Sequence, residues 1–422
     1  MLWGLGVGYV ISGNYFGWNL GLEQGGTYGL GIAILFIILL AITFTFSYTE
    51  LACAIPKAGG VFDYATRALG KDLGFIAGMA QNVEFIFAPP AIAFAIGAYL
   101  NLFFPEIPVI LIAIVAYLLF TALNIFGVQL AAIFELVVTI IAVGGLIVFA
   151  AITLPDFKAE NLAINAFPRG WEGVVAAIPF AIWFFLGIEG VANVAEETVN
   201  PQRTILLGFG SAIFTLVVLC VLTFLASVGV AGWEAIVYTS DGTISDSPLP
   251  LAVSRSSGGN VMYHLLIGIG LFGLVASFHG IILAAGRSTL EFGRARYAPA
   301  IMGKVHSRYK TPANSLLVNM GIGIIALLSG KTAEIITLSV FGALSLYILS
   351  MITVLKLRKT EPDLPRPFKV PFFPLFPLTA LIIATFSLIA LSLYNGKLAL
   401  IFFLIIGVSY AVFKLRFREK SG

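Results

Sequence analysis

Apolar runs of about 20 residues recur from one end of this chain to the other, each long enough to cross the hydrocarbon core of a bilayer as a helix. They fall at roughly 1–24, 28–54, 73–103, 107–126, 129–154, 173–198, 204–231, 260–286, 313–330, 333–357, 374–395 and 397–414, about twelve segments in all. In lipid every backbone N–H and C=O needs a partner within the protein, so such a chain folds as an all-α polytopic membrane protein. The composition agrees: 59% of residues are hydrophobic and 11% are charged, against roughly 25% charged in a soluble domain. The longest polar connection, roughly 232–259, holds Asp241, Asp246, Pro248 and Pro250 and reads as a surface loop.

Charge excludes some classes and orients the chain. A net charge of +3 without a basic run gives no footing for nucleic acid. Cys53 and Cys220 lack metal or redox spacing and read as core residues. With the N-terminus in the cytoplasm, the inner loops hold Lys57, Arg67, Lys71, Arg203, Arg287, Arg294, Arg296, Lys304, Arg308, Lys310, Lys356, Arg358, Lys359, Arg366 and Lys369, and the tail holds Lys414, Arg416, Arg418 and Lys420. That is roughly 19 of the 24 basic residues, with Lys158, Arg169, Arg255, Lys331 and Lys397 outside. The bias predicts a multi-pass inner-membrane protein with both termini cytoplasmic. The start, Met1-Leu2-Trp3-Gly4, has no positive n-region and no small-residue cleavage site. Because the first apolar segment begins at residue 1, either translation starts late or a short N-terminal tail lies ahead of it.

Segments 1 and 6 are interrupted near their middles, by Ile11-Ser12-Gly13-Asn14-Tyr15-Phe16-Gly17 and by Phe185-Leu186-Gly187-Ile188-Glu189-Gly190. Gly, Ser and Asn tolerate non-helical backbone, and irregular backbone at membrane depth is stable only where it is buried in protein or lines a cavity. Paired interruptions five segments apart point to an inverted repeat with a binding site at the midplane. The plainer alternative is glycine used for close helix packing. Metal-ligand clusters, a nucleophile elbow and a phosphate loop are all missing, which argues against an enzyme. The chain also lacks the repeat of a channel filter.

Four motifs in order resemble the amino acid–polyamine–organocation transporter superfamily. They are Ser12-Gly13-Asn14 in the first break; Glu50-Leu51 with Pro56-Lys57-Ala58-Gly59-Gly60 and Tyr64; Phe185 to Glu189 with Glu196-Glu197 and Asn200-Pro201-Gln202-Arg203-Thr204; and Arg287 to Pro299 with Val305 to Pro312. The stretch Gly6 to Asn19 looks most like the ethanolamine permeases. The resemblance implies a five-plus-five inverted repeat (1–154 and 173–357) followed by two C-terminal helices (374–414). It also implies uptake of protonated ethanolamine by alternating access, with a neutral or cationic amino-acid transporter of the same superfamily as the alternative. The expected partners are that amine or amino-acid substrate and the lipid bilayer; the protein would act as a monomer or homodimer. No cofactor or metal is expected, and the sequence leaves the coupling ion, H+ or Na+, open.

Acids inside the membrane are rare, costly and functional by default. Glu84 stands in mid-segment 3 with Gln81 on its face. It reads either as the partner of a substrate ammonium or coupled proton, or as a neutral carboxyl held by a neighbouring helix. By resemblance, Asn82 and Phe85 lie near positions that line the site in members of the superfamily, Trp183 matches a gating aromatic, and His279 falls close to the site. Phe184, beside Trp183, is a cation–π candidate or a packing residue. Ser12, Gly13, Asn14, Tyr15, Gly187 and Glu189 complete the expected substrate site. Glu189, His279 and Glu135 are the candidates for proton coupling or gating, with a cap on unwound backbone, a core histidine and a helix-end cap as their plainer readings. Glu196 and Glu197 read as solvating the end of segment 6, and Pro89-Pro90 is expected to kink segment 3.

Overall fold

The computed structural model describes residues 2–126, 131–197, 201–256 and 259–418. The side chains of Glu196, Glu197, Pro201 and Gln202 and the whole 198–200 stretch lie outside the described residues, as do the side chains of Arg416 and Arg418 and all of Lys420. The helices run in the order α1 (Leu2–Val10), α2 (Ser12–Tyr15), α3 (Trp18–Ala54), α4 (Val61–Leu69), α5 (Lys71–Asn101), α6 (Val109–Phe126), α7 (Ala131–Thr153) and α8 (Gly170–Trp183). There follow α9 (Pro201–Ala231), α10 (Glu234–Val237), α11 (Pro248–Ser254), α12 (Gly259–Arg294), α13 (Ala313–Leu327), α14 (Thr332–Thr360), α15 (Leu375–Tyr394) and α16 (Gly396–Arg418). Among the described residues, ten helical stretches are long and apolar enough to span a membrane, and the sole β pairing is an isolated bridge between Tyr238 and Ile244.

Beyond the first break, segments 1 and 2 are two helices that fold back on each other at a sharp turn within α3, so that Leu30 packs against Gly21. The two helices meet at Gly26, whose φ of 63° and ψ of −171° put a kink inside α3. The kink frees the Tyr28 amide, which donates to the Ala166 carbonyl at 2.8 Å. A Cβ on Gly26 would stand 2.4 Å from Pro168, so the turn and its packing both require glycine. Segment 9 is shorter than expected, ending at Leu327. α5 runs through Pro89 and Pro90 as one helix, both prolines being buried.

The 232–259 connection is more than a surface loop. It contains α10 and α11, and Ile236, Val237, Leu249, Ala252 and Val253 are all buried. Its turn at Ser245–Ser247 links two elements: Asn19 Nδ2 at the start of α3 donates to the Ser245 carbonyl at 2.6 Å, and the Thr332 hydroxyl at the start of α14 donates to Asp246 at 3.4 Å. Burial pushes the Asp246 carboxyl up to about 6, with the Thr332 hydroxyl pulling the other way. The folded state therefore holds the Asp246 proton more tightly than the unfolded chain, whose aspartates titrate near 3.9. Its contribution to stability is present below about pH 4 and is lost as pH rises through about 6. Thermal melts of Asp246→Asn should lose that decline, and an unchanged pH profile would show that Asp246 does not cause it.

The opposite end of the bundle is tied by ion pairs. Arg67 on α4 grips Glu361 through two bonds of 2.6 and 3.1 Å, and Lys414 on α16 meets Asp72 on α5 at 2.6 Å. Glu50, near the end of α3, accepts from Arg358 at 2.6 and 2.8 Å, from the Val370 amide at 2.7 Å, and lies 3.2 Å from Arg366. Neither cysteine is in a disulfide, and both are buried, as the sequence suggested.

Candidate functional site

The two helix breaks lie against each other in the middle of the bundle. The first opens at Ile11, continues through α2, and closes with Phe16 in extended backbone and Gly17 at φ 88°. The second starts where α8 stops at Trp183, turns at Gly187 (φ 95°), and continues as a 3-10 helix over Ile188–Glu197 rather than as α-helix. A Cβ on Gly13 would stand 2.4 Å from the Trp183 carbonyl, and one on Gly17 2.6 Å from its indole nitrogen. The breaks thus pack backbone to backbone, which only glycine permits.

Most amide donors of the first break are already used. Ser12 N–H donates to Ser277 Oγ at 2.8 Å, and that hydroxyl donates to the Gly8 carbonyl at 2.6 Å. Asn14 N–H goes to Ile11 O, Phe16 N–H to Ser12 O and Gly17 N–H to Asn19 Oδ1. Tyr15 is spent on structure: its hydroxyl donates to Ala142 O at 2.7 Å, and its carbonyl accepts from Tyr99 at 2.9 Å. Two polar groups here have no hydrogen-bond partner in the protein, the Asn14 side-chain amide and the Trp183 indole N–H. Phe16 stands edge-on to Trp183, and Phe184 stacks on Trp18.

Two acids meet beside the second break. Glu84 and Glu189 are fully buried and close enough for their charges to interact, with the Gly187 backbone beside Glu84. Glu189 Oε2 accepts from Tyr347 at 3.3 Å. The two carboxyls lie within hydrogen-bond reach of each other and the Gly187 amide is within reach of Glu84, and no further side-chain donor meets the Glu84 oxygens or Glu189 Oε1. α14 presses close here: Ser339 Oγ donates to the Glu84 carbonyl at 2.8 Å, and a Cβ on Gly342 would stand 2.6 Å from Glu84 N. Phe85 reaches the same place, its ring 3.7 Å from a Cβ built on Gly190. Phe44, stacked on Tyr48 and 4.0 Å from the Tyr347 ring, walls the acids. Two adjacent carboxyls in a dry interior stay together only around a proton or a cation, because an unpaired buried charge is expensive.

The site is closed at both ends. Toward the end that carries Lys57 and Arg287, the Ala58–Gly60 turn stands in the way: Asn193 donates to Ala58 O at 3.0 Å, and a Cβ on Gly60 would lie 3.1 Å from Tyr48 Oη and 3.4 Å from Gln81 Oε1. Beyond that turn is a cavity of about 190 Å3 whose walls include Arg287, Arg294 and Lys310. Toward the other end, Phe16 and Trp183 pack edge-on at the first break, and a cavity of about 120 Å3 lies beside Gln24, Phe180 and Tyr394.

Asn82 is not part of this arrangement. Its amide donates to Gly78 O and accepts from Thr289, which also bonds Asn319, at the edge of a separate apolar cavity of about 350 Å3 between α5, α12, α13 and α16. Two residues along a helix turn a side chain by about 200°, so Asn82 and Glu84 face opposite ways. Gln81 stays near the site but gives its N–H to Ser288 at 3.1 Å.

Glu135 and His279, read separately from the sequence, form a pair of their own. His279 Nδ1 lies 3.3 Å from Glu135 Oε2, and both side chains are buried. The pair sits behind the first break: a Cβ on Gly8 would stand 2.3 Å from Glu135 Oε1, and one on Gly280 3.2 Å from it.

A family model described as "Amino acid permease" matches residues 2–413. The chain belongs to the amino acid permease family. The permease is similar to an uncharacterized transporter of Rhizobium meliloti (29% identical, 94% of this chain and 86% of that one). It is also similar to a branched-chain amino acid permease of Bacillus subtilis (26%, 92% and 86%) and to a methylthioribose transporter of the same organism (26%, 89% and 83%). The protein is therefore a multi-pass membrane transporter of the amino acid–polyamine–organocation superfamily, not an enzyme.

Sequence reasoning missed Tyr347, Tyr48, Ser277 and Asn193. Each sits in an ordinary apolar helix or beside a break, and its role depends on which helix faces it. The signal available for Ser277 was its position two residues before His279 in a segment otherwise poor in polar groups.

Proposed function

We propose that this permease carries a small amine, ethanolamine first among candidates, across the inner membrane by alternating access, with both termini cytoplasmic. The observation that carries the reading is the buried pair of adjacent carboxyls, Glu84 and Glu189, on which Tyr347 is the one side-chain donor among the described residues. They form a buried acceptor set that suits one primary ammonium, and the aromatic rings of Tyr48, Tyr347 and Phe85 give a cation further favourable contact. An α-amino acid also needs donors for its carboxylate, and four amides of the first break are already engaged within the protein. Ethanolamine needs only an acceptor or donor for its hydroxyl, which Asn14 can supply. Residues 1–154 and 173–357 act in this reading as the two inverted repeats, rocking about the paired breaks. A monovalent cation gains about 2.3 kcal/mol per 100 mV of inside-negative potential, which alone supports uptake.

An amino-acid substrate is the second reading. It is favoured by the free Asn14 amide and Trp183 N–H, two donors that suit a carboxylate, and by the solute in the Bacillus branched-chain permease's name. Calorimetry on the purified protein separates the two. Ethanolamine binding that serine, alanine and leucine do not compete with supports the amine; tight binding of any of those amino acids, with ethanolamine inert, refutes it.

A further inference from the structure

We propose that the Glu135–His279 pair is a proton-carrying site that couples solute movement to a proton gradient. This rests on the transporter reading above but concerns a different place in the molecule. The pair joins α7 to α12, and the stretch of α12 that holds it, Ser277 to Gly280, also grips the first helix break. Ser277 takes the Ser12 amide and donates to the Gly8 carbonyl, while Glu135 Oε1 lies against Gly8 itself. Any change of charge on the pair is therefore felt by the element whose movement opens the substrate site.

The surroundings fit a proton rather than a metal or a fixed ion pair. From α1 the pair is faced by Gly8 and by Tyr9, whose ring stands at the Gly280 turn; Tyr9 is the titratable group on that side. α7 itself adds Thr139, whose hydroxyl donates to Gly4 O, and Phe134. α6 encloses the imidazole with Phe120, and Asn124 donates to the His279 carbonyl at 3.4 Å. Oε2 faces the imidazole and Oε1 has no hydrogen-bond partner, so the carboxyl has room for a proton and only one basic neighbour. In the loaded state one proton is shared between Oε2 and Nδ1. Release to water leaves a carboxylate and a neutral imidazole, so the pair alternates between net charge 0 and −1. Each turnover takes one proton from one side of the membrane and gives it up on the other.

The test has a substrate-free arm and a transport arm. Infrared difference spectra of the purified protein between pH 5 and pH 9 should show a buried carboxyl band that is lost in Glu135→Gln and shifted in His279→Gln. In proteoliposomes, radiolabelled ethanolamine counterflow without a gradient should stay within about twofold of wild type in both variants. Accumulation driven by an inward proton gradient should rise by up to about tenfold per pH unit in wild type, the limit for one proton, and be flat in both variants. A wild-type spectrum without that band, or a variant that keeps the gradient response, overturns the proposal. If wild type does not exchange ethanolamine, the amine reading fails instead, and the infrared arm alone decides the pair.

Discussion

Glu84→Gln is expected to weaken ethanolamine binding by about 10²–10³-fold while leaving the protein folded. Removing one member of a buried charged pair costs on the order of 2–5 kcal/mol, most of it the penalty of leaving the other charge unpaired. Glutamine matches glutamate in shape, so Phe85, Gly187 and the close approach of Gly342 need not move. One of the two formal negative charges facing the ammonium disappears, and an N–H2 donor now points toward a cation. The effect should exceed that of Glu189→Gln, because Glu189 already accepts from the Tyr347 hydroxyl whereas no side-chain donor other than its partner acid meets Glu84. The order is informative. Calorimetric affinities in which Glu189→Gln is the more damaging change would move the ammonium to the second break. Affinities unchanged in Glu84→Gln would remove this carboxyl from the site and leave the amino-acid reading in possession of Asn14 and Trp183.

The parts of this site legible in the sequence are those that a single segment declares. Both breaks were visible because Ser12-Gly13-Asn14 and Gly187-Ile188-Glu189-Gly190 interrupt long apolar runs; the structure keeps Ser12–Tyr15 as one helical turn and leaves the helix just after it, at Phe16 and Gly17, while the second break turns at Gly187 itself. Glu84, Glu135 and Glu189 stood out as acids in lipid, and all three are buried. What a single segment cannot declare is facing. Asn82 lies two residues from Glu84 and turns to Thr289 and Asn319 instead. Glu135 and His279 are 144 positions apart, and no periodicity within α7 or α12 says that they meet. The depth of the 232–259 connection was hidden for a related reason: its prolines and aspartates mark turns, while the burial of Ile236 and Leu249 depends on what those turns fold back against.

Glu50→Gln should cost more stability than any other single change at the charged end of the bundle, on the order of 3–5 kcal/mol. Glu50 sits at the centre of four contacts, two from Arg358, one from Arg366 and one from the Val370 amide. Arg366 is buried, and its other donors are already committed to the carbonyls of Leu357, Glu361 and Leu364. It cannot swing out to water when its counter-charge is removed, so the variant keeps a buried, uncompensated guanidinium. Arg358 is partly exposed and lies over the Phe373 ring, so Arg358→Ala leaves Glu50 with Arg366 and the Val370 amide and should be the milder change. Melting of the detergent-solubilised protein ranks the two, and equal losses would mean that Arg358 carries the whole interaction. The expected ranking gives the cluster a structural meaning. Glu50 lies near the end of α3, in the helix that follows the Gly26 turn, and Arg358 and Arg366 belong to α14 and the loop that follows it, whose earlier turns press on Glu84. Fixing these two helices to each other at one end holds the α14 wall of the acid site in place.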